Sequence, residues 1–253
     1  QDHLDVIIQH ACLKPVSAHW ALSKLGRIRV GLEWLTFRSG LGSSNMFEAG
    51  LFFRSNKDTL YPNLQHHFLP MAINYEGEVA TKRDGFQIHI SQMRPKSRGR
   101  VELRSRNPKE YPSIQFNHLD TESDLQEFRD GIRITRKILA QPAFDPYRGK
   151  EISPGEDCLT DNELDSWVKA TGATSHHPSC TCKMGIGLDA VVDEKLRVYG
   201  VNNLRVVDAS IMPEIVSANL NIPTIMIAEK ASDMILGTEL KPELQPFHKA
   251  GNS

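Results

Sequence analysis

Apolar and polar positions alternate with a period of two in several short stretches of the first 120 residues. Phe86-Gln-Ile-His-Ile90 and Val101-Glu-Leu-Arg-Ser105 both follow the pattern of a strand that buries one face. Asp5-Val-Ile-Ile-Gln9 is a shorter apolar run, and Leu64-Gln-His-His-Phe-Leu69 is a further strand candidate. Pro95-Lys-Ser-Arg-Gly99 places turn residues between two of these stretches, which predicts a hairpin joining them. Residues 1–120 therefore read mainly as strands, in an antiparallel sheet with one face toward water.

The period then changes. Thr121-Glu-Ser-Asp124 is a helix-start signal, and Leu125, Phe128, Ile132 and Leu139 fall on one helical face behind it. Thr160-Asp-Asn-Glu163 fits a capping box ahead of Leu164, Trp167 and Val168. Leu204-Arg-Val-Val-Asp208 reads as a buried strand ending in a turn. A third helix is predicted over 222–236, with Pro223 in its first turn, Asn221 as its cap and Gly237 as its stop. The residues after it are polar and contain proline, as a loosely held tail would. Strand-rich and helical segments in one chain predict an α+β fold.

Composition narrows the partners. The chain has 253 residues, 40% of them hydrophobic, enough for a sizeable core. Its 30 basic and 31 acidic residues give a net charge of −1, so nothing electrostatic calls for nucleic acid, and the basic run Arg94–Arg100 reads as a solvated turn. Four cysteines make no disulfide framework, and Cys180-Thr-Cys182 lacks the two-residue spacing of redox and zinc motifs. No apolar stretch approaches the roughly 18 residues needed to span a bilayer.

Chemistry gathers late in the chain. Ser175-His-His-Pro-Ser-Cys-Thr-Cys-Lys-Met-Gly-Ile-Gly187 supplies imidazole, and Pro178 holds His177 in an extended backbone. Ala218-Asn-Leu-Asn-Ile-Pro-Thr224 supplies amides at a helix start. Imidazole accepts a proton near neutral pH, and a neutral amide can donate to an oxygen that is gaining charge. A histidine and an asparagine brought together by two loops suit proton removal from an alcohol. Three other patterns carry less. Gly185-Ile-Gly-Leu-Asp-Ala190 follows no strand, as a dinucleotide turn would require. His176, His177, Cys180 and Cys182 crowd seven residues without a second cluster, so no metal is expected. No serine sits in a Gly-x-Ser-x-Gly elbow.

The ordered trio 175–187, 204–213 and 218–224 resembles the carboxy-terminal part of the glucose–methanol–choline oxidoreductases, and most of all their choline-oxidising branch; the resemblance runs from Gln1 to about Gly237. It implies an FAD enzyme in which His177 is the proton acceptor and Asn219 the second catalytic residue. Asn221 and Thr224 would lie by the flavin, and Asp208 and Ala209 would contact the cofactor's phosphate and ribityl region. His67, Phe47, Glu48 and Asp5 would frame the alcohol, with Asp5 one methylene shorter than the branch's usual glutamate. The expected division is a substrate-binding domain over 1–175, an active-site loop with the end of the FAD-binding domain over 176–237, and a polar tail over 238–253. The glycine-rich ADP-binding turn belongs to an amino-terminal half not seen here, so this chain alone is expected to hold FAD weakly and to be inactive.

The resemblance further implies choline as the small-molecule substrate, oxidised to betaine aldehyde on the way to glycine betaine. Electrons would leave to a respiratory-chain acceptor or to oxygen. Peripheral membrane association, in the bacterial cytoplasm and inner membrane or in the mitochondrion, is the family's setting. The residues leave open another primary alcohol, or an inactive fragment or accessory module.

Overall fold

The computed structural model describes residues 1–74 and 84–238. Its centre is a six-stranded antiparallel sheet. β1 (Leu4–Cys12), β2 (Ala49–Phe53), β3 (Leu64–Leu69) and β4 (Gly85–Gln92) join β7 (Arg148–Ser153) in the spatial order β2-β3-β4-β1-β7. The short β8 (Ala173–Thr174) adds to the start of β1. Between β1 and β2 lies the helix α1 (Lys24–Phe37). β5 (Arg100–Glu102) and β6 (Ser113–Gln115) form a separate two-stranded ribbon. The helices α2 (Glu122–Leu139), α3 (Asp161–Thr171) and α4 (Asn221–Leu236) complete the chain. The α+β expectation holds.

Register explains why the sheet has two unlike faces. Val6 pairs with Ile90, Ile8 with Ile88 and His66 with Ile90, so Leu4, Val6, Ile8, Leu64, Phe86, Ile88 and Ile90 share one side. They pack against Phe128, Ile132 and Leu139 of α2 and Leu164 and Val168 of α3. Each such side chain contributes about 1.5–3 kcal/mol on burial. Gly131 lets α2 come this close, since a Cβ there would lie 3.0 Å from Leu64 and 3.1 Å from Ile90.

The other side carries Asp5, Gln9, Gln65, Gln87, His89 and Ser91, all buried. This corrects the expectation of a wet face. The alternation is real, but the polar groups at the sheet's centre are buried and bind one another. A second apolar cluster forms around Val192, Leu196, Ile211, Met212, Ile215, Leu220, Ile227 and Ala231, seating α4 against the irregular segment before it.

Both helix-start signals are as read. Thr121 Oγ1 accepts from Asp124 N, and Thr160 and Glu163 make a reciprocal capping box. Gly237 ends α4 with φ 71°. Four expectations need correction. The Phe86–Val101 hairpin does not form: β4 has β1 and β3 on its two edges, while the turn after it is drawn to α2 by Asp124, which accepts from Lys96 N and Ser97 N. Of Val101–Ser105 only Val101–Glu102 is strand, paired with β6. Leu204–Val207 is no strand but an irregular pass that shares one bridge, Arg197 with Arg205. Asn221 is the first helical residue rather than the cap, and the Leu220 cap position makes no side-chain bond.

The remaining difference is α1, in a region read as strands. Gly26, Gly31 and three β-branched residues blur its helical period, yet Ser23 caps it by accepting from Gly26 N. The polar tail lies outside the described residues from 239 onward. Among the described residues, no helix is long and apolar enough to cross a membrane.

Candidate active site

The segment after β8 keeps running antiparallel to the start of β1. Leu4 pairs with Thr174, Ser175 N donates to His3 O at 2.9 Å, and Ser179 N donates to Gln1 O at 2.9 Å. His176 takes a left-handed turn at φ 61°, and the buried Asp2 carboxylate accepts the next backbone N–H, that of His177, at 3.0 Å. These bonds hold His177 over the polar face of the sheet. There it lines a cavity of about 490 Å³ with Asp5, Phe47, His67, His89 and Asn219. Thr174, Ser175, His176, Ser91 and Asn45 complete the wall.

His177 does not stand alone. Its Nδ1 lies 3.0 Å from Nδ1 of His3, a fully buried ring whose Nε2 faces the Met93 carbonyl at 3.2 Å. A carbonyl only accepts, so His3 carries its proton on Nε2. Burial, with His177 beside it, pushes His3 down to about 4, so the ring is neutral and its Nδ1 is an acceptor. His177 must then donate from Nδ1, which leaves its Nε2 bare. Burial, with His67 and His176 nearby, also lowers His177 below an ordinary imidazole, against the opposing pull of Asp2 and Asp5. The ring is therefore a neutral base at pH 7.

A second chain of bonds fixes the carboxylate. Gln87 Oε1 accepts from Ile73 N at 2.9 Å and from Gln9 Nε2 at 3.0 Å, so its Nε2 is the donor toward His89 Nε2 at 2.8 Å. His89 in turn donates from Nδ1 to Asp5 Oδ2 at 2.7 Å. Phe47 closes the same corner, edge-on to His67 at 5.5 Å and to His89 at 5.7 Å between ring centroids. A carboxylate and an aromatic ring on one cavity are the groups that receive a cation lacking hydrogen-bond donors.

The paired histidines of β3 point to opposite faces, as alternation requires. His67 lines the cavity, whereas His66 faces α2 and bonds Thr135 Oγ1 at 2.8 Å. Glu48 is placed differently from Phe47. It lies outside the cavity, and its carboxylate accepts from Ser44 Oγ at 2.9 Å. Phe47 and Glu48 are neighbours in extended chain leading into β2, so only one of them can face inward.

A second cavity of about 490 Å³ lies across the 178–181 segment from the first. Asp208, Ala209 and Thr224 line it, together with Val101, Ile114, Phe116 and Pro178. Asn221 lines neither cavity, because the first turn of α4 leaves it facing outward. Exposed apolar side chains around a hollow of this size suit a planar, largely apolar ring system. Two of the cavity's polar groups are already engaged: the Asp208 carboxylate caps the turn at Ser210 N, and Thr224 Oγ1 donates to Leu220 O.

Three site residues were not singled out from the sequence: His3, Gln65 and His89. Each precedes or follows a chosen residue by two or pairs with it across the sheet, so the period of two was the signal available for them.

Comparison with known proteins gives the family. The family model for GMC oxidoreductase matches residues 95–228, just over half of the chain. The chain belongs to the GMC oxidoreductases and corresponds to their carboxy-terminal part. It is 57% identical over its whole length to an oxygen-dependent choline dehydrogenase of Xanthomonas campestris pv. campestris (strain B100), of which it covers 46%. It is 55% identical to one of Pseudomonas fluorescens (strain SBW25), covering 45%. The chain thus spans about half the length of these curated relatives. Among solved structures, a formate oxidase of Aspergillus oryzae RIB40, studied for FAD modification, superposes with a TM-score of 0.85 at 25% identity. That match covers 94% of this chain and 46% of the oxidase. A pyridoxine 4-oxidase from Mesorbium loti gives 0.75 at 26% identity, over 94% of this chain and 43% of that one.

Proposed function

We propose that this chain carries the alcohol side of an FAD-dependent choline dehydrogenase. One observation supports this above all: a single cavity joins the bare Nε2 of His177 to a braced carboxylate, Asp5, and an aromatic ring, Phe47. A proton acceptor and a receptor for a quaternary ammonium are the two things choline needs. FAD, when bound, supplies the acceptor for the hydride. His177 takes the hydroxyl proton at Nε2, and Asn219 donates to the oxygen as it gains charge. The alcohol carbon loses a hydride and the oxygen a proton, and betaine aldehyde remains. Asp208, Ala209 and Thr224 are the residues this chain offers to FAD; the curated relatives are about twice its length, so the chain alone should hold FAD weakly. The names of the curated relatives favour oxygen over a respiratory-chain acceptor for the electrons.

The test is choline against its neutral isostere 3,3-dimethylbutan-1-ol in the FAD-loaded protein that contains this chain. A cation–π contact gives roughly 0.5–2 kcal/mol, and the Asp5 carboxylate adds to it. Choline should therefore lead in kcat/KM by about tenfold or more, as ~1.4 kcal/mol of discrimination implies. Asp5→Asn should narrow the gap. Equal kcat/KM for the two alcohols would remove choline and favour another primary alcohol.

A further inference from the structure

Gln65 stands behind the cavity wall, buried, on the same sheet face as His67. Its Nε2 lies 2.9 Å from His67 Nε2 and 3.1 Å from Asn219 Oδ1. One amide group therefore joins a strand residue to a residue 154 positions away at the start of α4. The sense of these bonds follows from the amide's other end. Gln65 Oε1 is buried and has no hydrogen-bond partner among the described residues. Turning the amide over would bury an unmatched NH2 in its place, and orphaned donors are rarer in folded proteins than under-satisfied carbonyls. The NH2 thus faces His67 and Asn219, and it donates to both.

We propose that Gln65 is a positioning residue that sets the donor sense of the site. Because His67 Nε2 accepts from Gln65, the neutral His67 ring carries its proton on Nδ1. Burial lowers His67 below an ordinary imidazole, so the neutral form is the relevant one at pH 7. Because Asn219 Oδ1 also accepts from Gln65, the Asn219 amide is turned with its oxygen toward Gln65, which leaves its NH2 to donate to the substrate oxygen. Two cavity-lining groups are thereby made donors, while His3 makes His177 an acceptor. An alcohol that gives its proton to His177 becomes an oxyanion among donors, with no second base competing for the proton. The kinetic part of this inference rests on the alcohol-oxidising reading of the cavity; the tautomer assignment does not.

The experiment reads the tautomer directly. In the FAD-loaded protein labelled with ¹⁵N-histidine, long-range ¹H–¹⁵N correlation separates Nδ1–H from Nε2–H rings, and loss of one signal in His67→Gln assigns His67. Wild type should show His67 as Nδ1–H. Gln65→Glu keeps the shape but can only accept when ionised, so His67 should switch to Nε2–H; Gln65→Met should give a mixture. Flavin reduction by choline should slow by about 10²–10³ in Gln65→Glu, the usual cost of losing an oxyanion donor, with the dissociation constant for choline within about twofold. An Nε2–H ring in wild type, or an unchanged Nδ1–H ring in folded Gln65→Glu, would overturn the proposal. If Gln65→Glu does not fold, the wild-type tautomer and the Gln65→Met spectrum decide. A wild-type protein that choline cannot reduce would instead count against the choline reading and leave the tautomer result standing.

Discussion

Removing the ring behind His177 should lower the rate without moving the pH at which the rate rises to its plateau by enough to account for the loss. His3 is fully buried and bonds the Met93 carbonyl through one nitrogen and His177 Nδ1 through the other, at 3.2 and 3.0 Å. His3→Leu fills much of the space but leaves His177 Nδ1 without an acceptor. A buried donor stripped of its partner costs about 1–3 kcal/mol, which is roughly a 5- to 150-fold change in the tautomer ratio at ~1.4 kcal/mol per decade. Stopped-flow flavin reduction by choline across pH measures this. In wild type the rate should rise with pH through the lowered pKa of His177 and level off, because the neutral ring is the base. In His3→Leu the plateau itself should fall by up to that factor, since a tautomer ratio does not depend on pH. His3→Asn places an amide oxygen near the lost nitrogen and should recover most of the rate. A folded His3→Leu protein whose plateau stays within about twofold of wild type would refute the tautomer argument.

Two further outcomes follow from buried groups. Burial lowers His3 and His66 to about 4, below the ordinary 6.5. The unfolded chain therefore takes up protons that the folded one refuses as pH falls from 6.5 toward 4. Stability should be undiminished by these groups above pH 6.5 and decline below it by roughly 1.4 kcal/mol per pH unit for each histidine; urea midpoints that stay flat down to pH 4 would contradict this. Arg136 donates to both oxygens of the buried Glu151, at 3.0 and 2.7 Å, and to the carbonyls of Cys158 and Gly155. Arg136→Met should cost about 3–5 kcal/mol by stranding that carboxylate, and denaturant unfolding with a loss under about 1 kcal/mol would show that Glu151 finds another partner.

What the sequence disclosed and what it withheld have physical reasons. Both capped helices were legible because Thr121 and Thr160 act within three residues of themselves, and such local bonds leave local signals. The strands were legible from their alternation, but their partners were not. Nothing near Val101 announces that β4 already has both edges filled, or that Asp124 will capture the intervening turn. The α1 helix was hidden by glycine and β-branched residues that break its period, although Ser23 marked its start. At the site, Asp5, Phe47, His67, His177 and Asn219 do line one cavity, while Glu48 and Asn221 stand apart from both cavities. Resemblance pointed to the residues that would face the alcohol. It did not point to His3, Gln65 and His89, whose parts depend on which nitrogen carries a proton, and that depends on contacts between distant segments.

The proposed base is His177 Nε2, acting on an alcohol whose hydride goes to flavin. Anaerobic mixing of choline with the FAD-loaded protein, wild type beside His177→Ala, tests it most directly. Wild type should lose its oxidised-flavin absorbance in a single turnover and yield betaine aldehyde. His177→Ala should bind choline with similar affinity yet be reduced about 10²–10⁴ times more slowly, the range for a general base. A wild-type flavin that choline leaves oxidised would count against the choline reading, and a His177→Ala protein reduced at the wild-type rate would remove His177 as the base.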